Sequence, residues 1–388
     1  MELTLKERFN YLPVGFAIFS MFFGAGNSIF PLLIGSAAGD KNFYAVMGMT
    51  ISAILVPLLG LFGIALYDGN YKEFFYRLGR IPGFLLISMI MVLIGPFAGI
   101  PRCVTLAYST LKPNLGGASL VLFSAIACLI IFAKTIKKTR LIDILGKVLT
   151  PFLLFCLTFI IVKGIYTQGT VSPSVAAPNN SGVFFFGLIK GFQMMDLLAS
   201  FFFSATVIAC VKAKGAQMSS SPINMFLKGA VLSGVLLWLI YIGFSYVAAN
   251  NSAFFQSIPQ ESLLGAVSKK ILGVRLGFMM GLAVALACLT TAITLVTVFS
   301  EFVHKECLNK KVPYSVCVIA TVIAAFCFSN LGFMGICNMI APALFVCYPA
   351  LITLTLVNIF HKVYQFNPVK WPVYTVLAIS MMLNMVYS

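Results

Sequence analysis

The sequence is a succession of apolar runs, each long enough to cross a lipid bilayer. About 20 apolar residues at ~1.5 Å each cover the ~30 Å hydrocarbon layer. That ruler marks runs at roughly 11–36, 43–67, 82–109, 117–134, 143–166, 183–210, 224–249, 272–302, 313–330, 335–360 and 371–388. They are apolar on every side and do not alternate over about ten residues, so they read as helices and not barrel strands. Of 388 residues, 60% are hydrophobic and 9% charged. A soluble domain of this length cannot place so much apolar surface in one core. A soluble enzyme, a disordered chain and a secreted disulfide scaffold are thereby excluded. The chain reads as an all-α polytopic membrane protein with about eleven transmembrane helices, a single transmembrane unit over 1–388.

The net charge of +16 would suggest nucleic acid in a soluble protein, so the positions of the charges decide. With the N-terminus inside, 18 of the 26 basic residues fall in inner segments: Lys6 and Arg8; Lys72, Arg77 and Arg80; Lys134, Lys137, Lys138, Arg140 and Lys147; Lys212, Lys214 and Lys228; Lys305, Lys310 and Lys311; Lys362 and Lys370. Every inner loop is basic, as cytoplasmic loops are. The excess charge reports orientation, with the lipid bilayer and not nucleic acid as partner. The first run is too long for a signal-peptide core, so it reads as a retained span. The ten cysteines lie almost all in apolar runs without CxxC spacing and read as core filling. His304 and His361, at inner span ends, have no nucleophile or metal cluster beside them, so no catalytic site or cofactor is expected.

Helices in lipid tolerate unwound backbone only where it lines a protein cavity, so breaks point to a binding site. The first span breaks at Phe22–Pro31 (FFGAGNSIFP), where two glycines free the backbone and Pro31 can start a second half-helix. Gly24 and Gly26 do not share a face, which favours unwinding over close helix packing. The sixth span carries Lys190–Asp196 (KGFQMMD), and Asp196 is the one acidic residue of ten that lies well inside a span. An intramembrane carboxylate is costly and is a functional candidate. It could cap a half-helix, bind a cation or a substrate amine, or carry a proton. The competing structural reading is an ion pair with Lys190. In the third span, Ile94–Arg102 (IGPFAGIPR) distorts the helix through two prolines and two glycines, and Arg102 either snorkels or has a role in the site. In the eighth, Thr290 and Thr291 either bond back to the i−4 carbonyls or offer two hard oxygen ligands.

These motifs resemble those of the bacterial branched-chain amino acid:cation symporters (the BrnQ type), in the superfamily with the leucine-transporter fold. The resemblance covers nearly the whole chain. It implies two inverted repeats of five spans, about 11–166 and 183–360, with the first and sixth spans discontinuous and one extra C-terminal span at about 371–388. It implies a sodium ion between the first and eighth spans, held by the backbone carbonyls of Ser20, Phe23 and Ala287 and the hydroxyls of Thr290 and Thr291. It implies a substrate amino acid along Ala25, Gly26 and Asn27, against Gln193, Met194 and Asp196, with its carboxylate near the second half-helix N-terminus. Members usually carry twelve spans, whereas this chain is expected to end after an eleventh. Ser204 stands where relatives often have a glycine.

The expected function is import of Leu, Ile and Val coupled to sodium by alternating access, in a bacterial inner (plasma) membrane with the N-terminus cytoplasmic. The alternative is proton coupling through Asp196, since between Pro151 and Val162 no lysine is present to replace sodium. A passive channel would need repeated polar rings along a pore, and only isolated polar patches occur.

Overall fold

The computed structural model describes residues 11–112, 115–136, 150–167, 169–214, 221–365 and 367–387. Among these residues every regular element is helical. Lys6, Arg8, Lys137, Lys138, Arg140, Lys147 and the start of the fifth span lie outside the described residues.

The first span is two helices, α1 (Tyr11–Phe22) and α2 (Ala25–Ala38), separated by Gly24 in an extended conformation. The second is α3 (Asn42–Thr50), which runs through a π turn at Ile51–Leu55 into α4 (Val56–Leu66). A short helix α5 (Tyr71–Tyr76) follows. The third span is α6 (Arg80–Val92) and α7 (Gly99–Leu111), joined by a π turn that leaves helical geometry at Gly95 (ψ −125°), next to Pro96. Pro96 supplies no backbone donor and crowds the preceding turn, which accounts for the break. Then come α8 (Leu120–Ile136) and α9 (Thr150–Tyr166).

The sixth span is again split, into α10 (Asn180–Phe192) and α11 (Asp196–Lys214). Met195 between them sits at φ +70°, a left-handed conformation that strains a non-glycine residue and recurs at functional sites. Ser204 does not extend the break: α11 runs unbroken through it, and its hydroxyl donates to the Ser200 carbonyl. The chain continues as α12 (Pro222–Ala249), α13 (Leu263–Phe302), α14 (Tyr314–Ser329), α15 (Gly332–Tyr364) and α16 (Lys370–Tyr387). Gly273, at φ +79°, divides the first turns of α13 from the rest of the helix. The apolar runs read from sequence each contain a described helix. Among the described residues, six helical stretches are long and apolar enough to cross a membrane by length and composition.

Two groups of spans emerge from packing. The first, second, sixth and seventh lie against one another: α1 and α2 on α12, α3 on α10, α4 on α11. The third, fourth, eighth and ninth form the other: α7 along α13, α8 on α13 and α14. Small residues bring the first group close, because a Cβ on Gly48 would strike the Phe184 carbonyl and one on Gly187 the Ala45 carbonyl.

Candidate functional site

The two helix breaks meet. A Cβ on Gly26 would lie 3.1 Å from the Met194 Cα and 3.0 Å from Arg102 Nη2, so only glycine lets the first break approach the sixth at this point. The α2 backbone restarts through local bonds. The Gly24 N–H donates to Asn27 Oδ1 (3.4 Å), and the Ser28 hydroxyl donates to the Gly24 carbonyl (2.9 Å).

Asp196 opens α11 and is 3% exposed. Its position at a helix N-terminus favours a negative charge. Asn27 Nδ2 donates to both its oxygens, at 3.0 and 2.8 Å, and the Tyr241 hydroxyl donates to Oδ2 at 3.2 Å. Asn27 Nδ2 also contacts the Tyr241 hydroxyl. One carboxylate thus ties together the first, sixth and seventh spans. Lys190 does not pair with it: its ammonium donates to Gln193 Oε1 at 3.2 Å and lies over the Phe186 ring.

Arg102 is 3% exposed and does not snorkel. Its Nη1 donates to the Gln193 carbonyl (2.9 Å) and contacts Met195 Sδ (3.2 Å), so it fastens the unwound part of the sixth span. The guanidinium lies over the Phe30 and Phe333 rings, 5.2 and 5.3 Å from their centroids. Its Nε and Nη2 have no hydrogen-bond partner among the described residues.

A cavity of about 60 Å³ lies at this crossing, lined by Ala25, Gly26, Asn27, Arg102, Met194 and Asp196, with Thr291 and Leu295 from α13 and Ala199 and Phe203 from α11. It has room for roughly four waters, so an amino acid fits only after side chains move. Met21, Met194 and Met195 border it and are flexible enough to yield. Of the expected substrate residues, Gln193 is not in the wall; its backbone and side chain serve Arg102 and Lys190.

The expected cation ligands divide as well. The Thr290 and Thr291 hydroxyls both donate to the Ala287 carbonyl, at 2.7 and 3.1 Å, which gathers three oxygens on one turn of α13. Thr291 is buried and faces the first break: a Cβ on Gly24 would lie 3.4 Å from its Cγ2 and 4.0 Å from its hydroxyl oxygen. Thr290 is half-buried and outside the cavity wall. Phe23 still closes a helical turn on the Phe19 carbonyl (2.8 Å), whereas the Gly24 N–H turns to Asn27 and leaves the Ser20 carbonyl out of the helix ladder. The oxygens gathered on this turn of α13 are of the type that suits a hard cation. Among the described residues no three His, Cys, Asp or Glu side chains gather as a metal cluster.

Sequence reasoning missed Tyr241, Phe30 and Phe333. Each is an aromatic residue in an apolar run, and no spacing marks it.

A family model described as "Branched-chain amino acid transport protein" matches residues 7–388. The chain is 31% identical over 376 residues to a branched-chain amino acid carrier protein of Staphylococcus epidermidis, covering 92% of this chain and 83% of the relative. It is 30% identical over 371 residues to the branched-chain amino acid permease BrnQ of Bacillus subtilis, covering 91% and 81%. Among solved structures it is similar to a manganese transporter of Eremococcus coleocola (TM-score 0.60, 14% identity, 99% of this chain and 87% of the other). It is also similar to a Na+-coupled sialic acid symporter in a substrate-bound outward-open state (TM-score 0.58, 10% identity, 97% and 90%). At these identities the structures show a shared fold, which is the leucine-transporter type.

Proposed function

The chain belongs to the branched-chain amino acid transport protein family, a family of transporters and not of enzymes, and from that premise we propose that it imports Leu, Ile and Val together with sodium by alternating access. The observation that carries the reading is the meeting of two broken helices at Gly26 and Met194 beside a buried carboxylate. Unwound backbone at membrane depth is expensive unless it binds something.

In this reading sodium sits between the first and eighth spans, on the carbonyls of Ser20, Phe23 and Ala287 and the hydroxyls of Thr290 and Thr291. The amino acid lies along Ala25, Gly26 and Asn27, against Met194 and Asp196. Sodium orders the first-span break, and the amino acid binds the ordered backbone. Because each ligand stabilises the arrangement the other needs, the coupling is reciprocal. The group made of the first, second, sixth and seventh spans then rocks against the third, fourth, eighth and ninth. The repeats are about 11–166 and 183–360, with the last helix outside them. The basic inner loops support a bacterial plasma membrane location with the N-terminus cytoplasmic.

Uptake of labelled leucine into proteoliposomes, with sodium and proton gradients imposed separately, tests this. An inward sodium gradient is expected to drive accumulation above equilibrium at symmetric pH. Accumulation driven by a pH gradient in sodium-free buffer would replace sodium with protons, for which Asp196 is the carrier candidate. Equilibration without accumulation under either gradient would mean a channel.

A further inference from the structure

Two opposite charges border one cavity, and neither has an ionic partner. Arg102 and Asp196 are each 3% exposed. The ion pairs among the described residues involve other side chains. Asp196 accepts only from the neutral groups of Asn27 and Tyr241. Arg102 spends Nη1 on a carbonyl and a thioether, while Nε and Nη2 are buried without a partner. A buried charge left in this condition is costly, and such groups are normally paired. Arginine stays charged whatever its surroundings, and its two free donors form the fork that matches a carboxylate.

The free Nη2 points at the beginning of α2, 3.0 Å from the position of a Gly26 Cβ, so the guanidinium adds to the positive helix end there. It is held in place by the Phe30 and Phe333 rings and by the Gln193 carbonyl. Asp196 stands across the two breaks, at the start of α11.

We propose that Arg102 and Asp196 are the two poles of a zwitterion site, Arg102 taking the substrate α-carboxylate through Nε and Nη2 and Asp196 taking the α-ammonium. This deepens the transport reading above and rests on it. The site then selects α-amino acids by the presence of both charges, and the apolar wall of Phe22, Ile94, Phe203 and Leu295 selects the side chain.

The test is competition against labelled leucine on the purified full chain, using leucinamide, which lacks the carboxylate, and 4-methylpentanoate, which lacks the amine. In the wild type both should bind at least about 100-fold more weakly than leucine, near 2.7 kcal/mol. Arg102→Gln should weaken leucine about 100-fold and leave leucinamide within about threefold of its wild-type affinity. Asp196→Asn should do the converse, weakening leucine while sparing 4-methylpentanoate. Each variant thus loses discrimination for one pole alone, which a merely structural defect would not produce. If Arg102→Gln weakens leucine and leucinamide in equal proportion, or leaves leucine binding intact, the assignment is wrong. Should that variant not fold, the wild-type series alone decides: leucinamide competing as well as leucine overturns the proposal. A wild type that binds none of Leu, Ile or Val sinks the transport reading instead.

Discussion

Asn27 holds the moving parts of the site together with one amide. Its Nδ2 reaches Asp196 and Tyr241, and its Oδ1 accepts from the Gly24 N–H. Replacing it with Ala leaves the carboxylate with Tyr241 alone, and stranding a buried polar group costs about 1–3 kcal/mol. Asn27→Ala is therefore expected to lower the thermal unfolding midpoint and abolish leucine uptake. Asn27→Ala combined with Asp196→Ala should cost less than the sum, because the two share one interaction. The threonines separate in the same way. Thr291→Ala should raise the sodium concentration for half-maximal uptake about tenfold, near 1.4 kcal/mol, and Thr290→Ala should raise it less, since Thr291 alone faces Gly24. Sodium titrations of leucine uptake check both. At this scale the sequence was legible where chemistry and setting conflict. A lone acid in an apolar span and an amide directly after a Gly-Ala-Gly run both stand out. Tyr241 does not, because an aromatic residue among Leu and Ile looks like core, and only the fold brings it 45 positions along the chain to Asp196.

Breaks and close approaches set the elements. The span limits were readable because each run must match the bilayer, and the breaks at Gly24 and around Met194 were readable from glycine and lone polar residues. The third-span break was readable from Pro96 and its neighbouring glycines, whereas the short helix α5 and the π turn at Ile51–Leu55 carry no such signature, since local composition does not distinguish i+4 from i+5 pairing. Helix contacts were also hidden. Gly48 and Gly187 look like any glycines in an apolar run, yet each admits a neighbouring backbone. Gly187→Val forces α10 away from α3, and overpacking of this kind costs about 1–3 kcal/mol. A lower unfolding midpoint in detergent and weaker uptake are expected. Gly265→Ala is the control, since a Cβ there meets nothing within 4 Å, and its unfolding free energy should stay within about 0.5 kcal/mol of the parent.

Across the whole molecule, the link between the second and third spans is tied to the end of the eighth by an ion pair. Lys72 on α5 meets Glu306, just beyond α13, at 2.6 Å. A partly exposed pair of this kind contributes at most about 1 kcal/mol, a roughly fivefold shift in a two-state ratio. Glu306→Gln is therefore expected to loosen α5 from that end of α13, read as longer distances between spin labels on α5 and α13. The exchanged pair Lys72→Glu with Glu306→Lys should restore the parent distribution. The cavity at the crossing has a bearing on energy conversion. About 60 Å³, bordered by the Arg102 guanidinium, cannot by itself hold a continuous file of water across a ~30 Å hydrocarbon layer. Under the ion coupling proposed above, a crossing this narrow keeps the driving gradient from leaking through it when no cargo is bound.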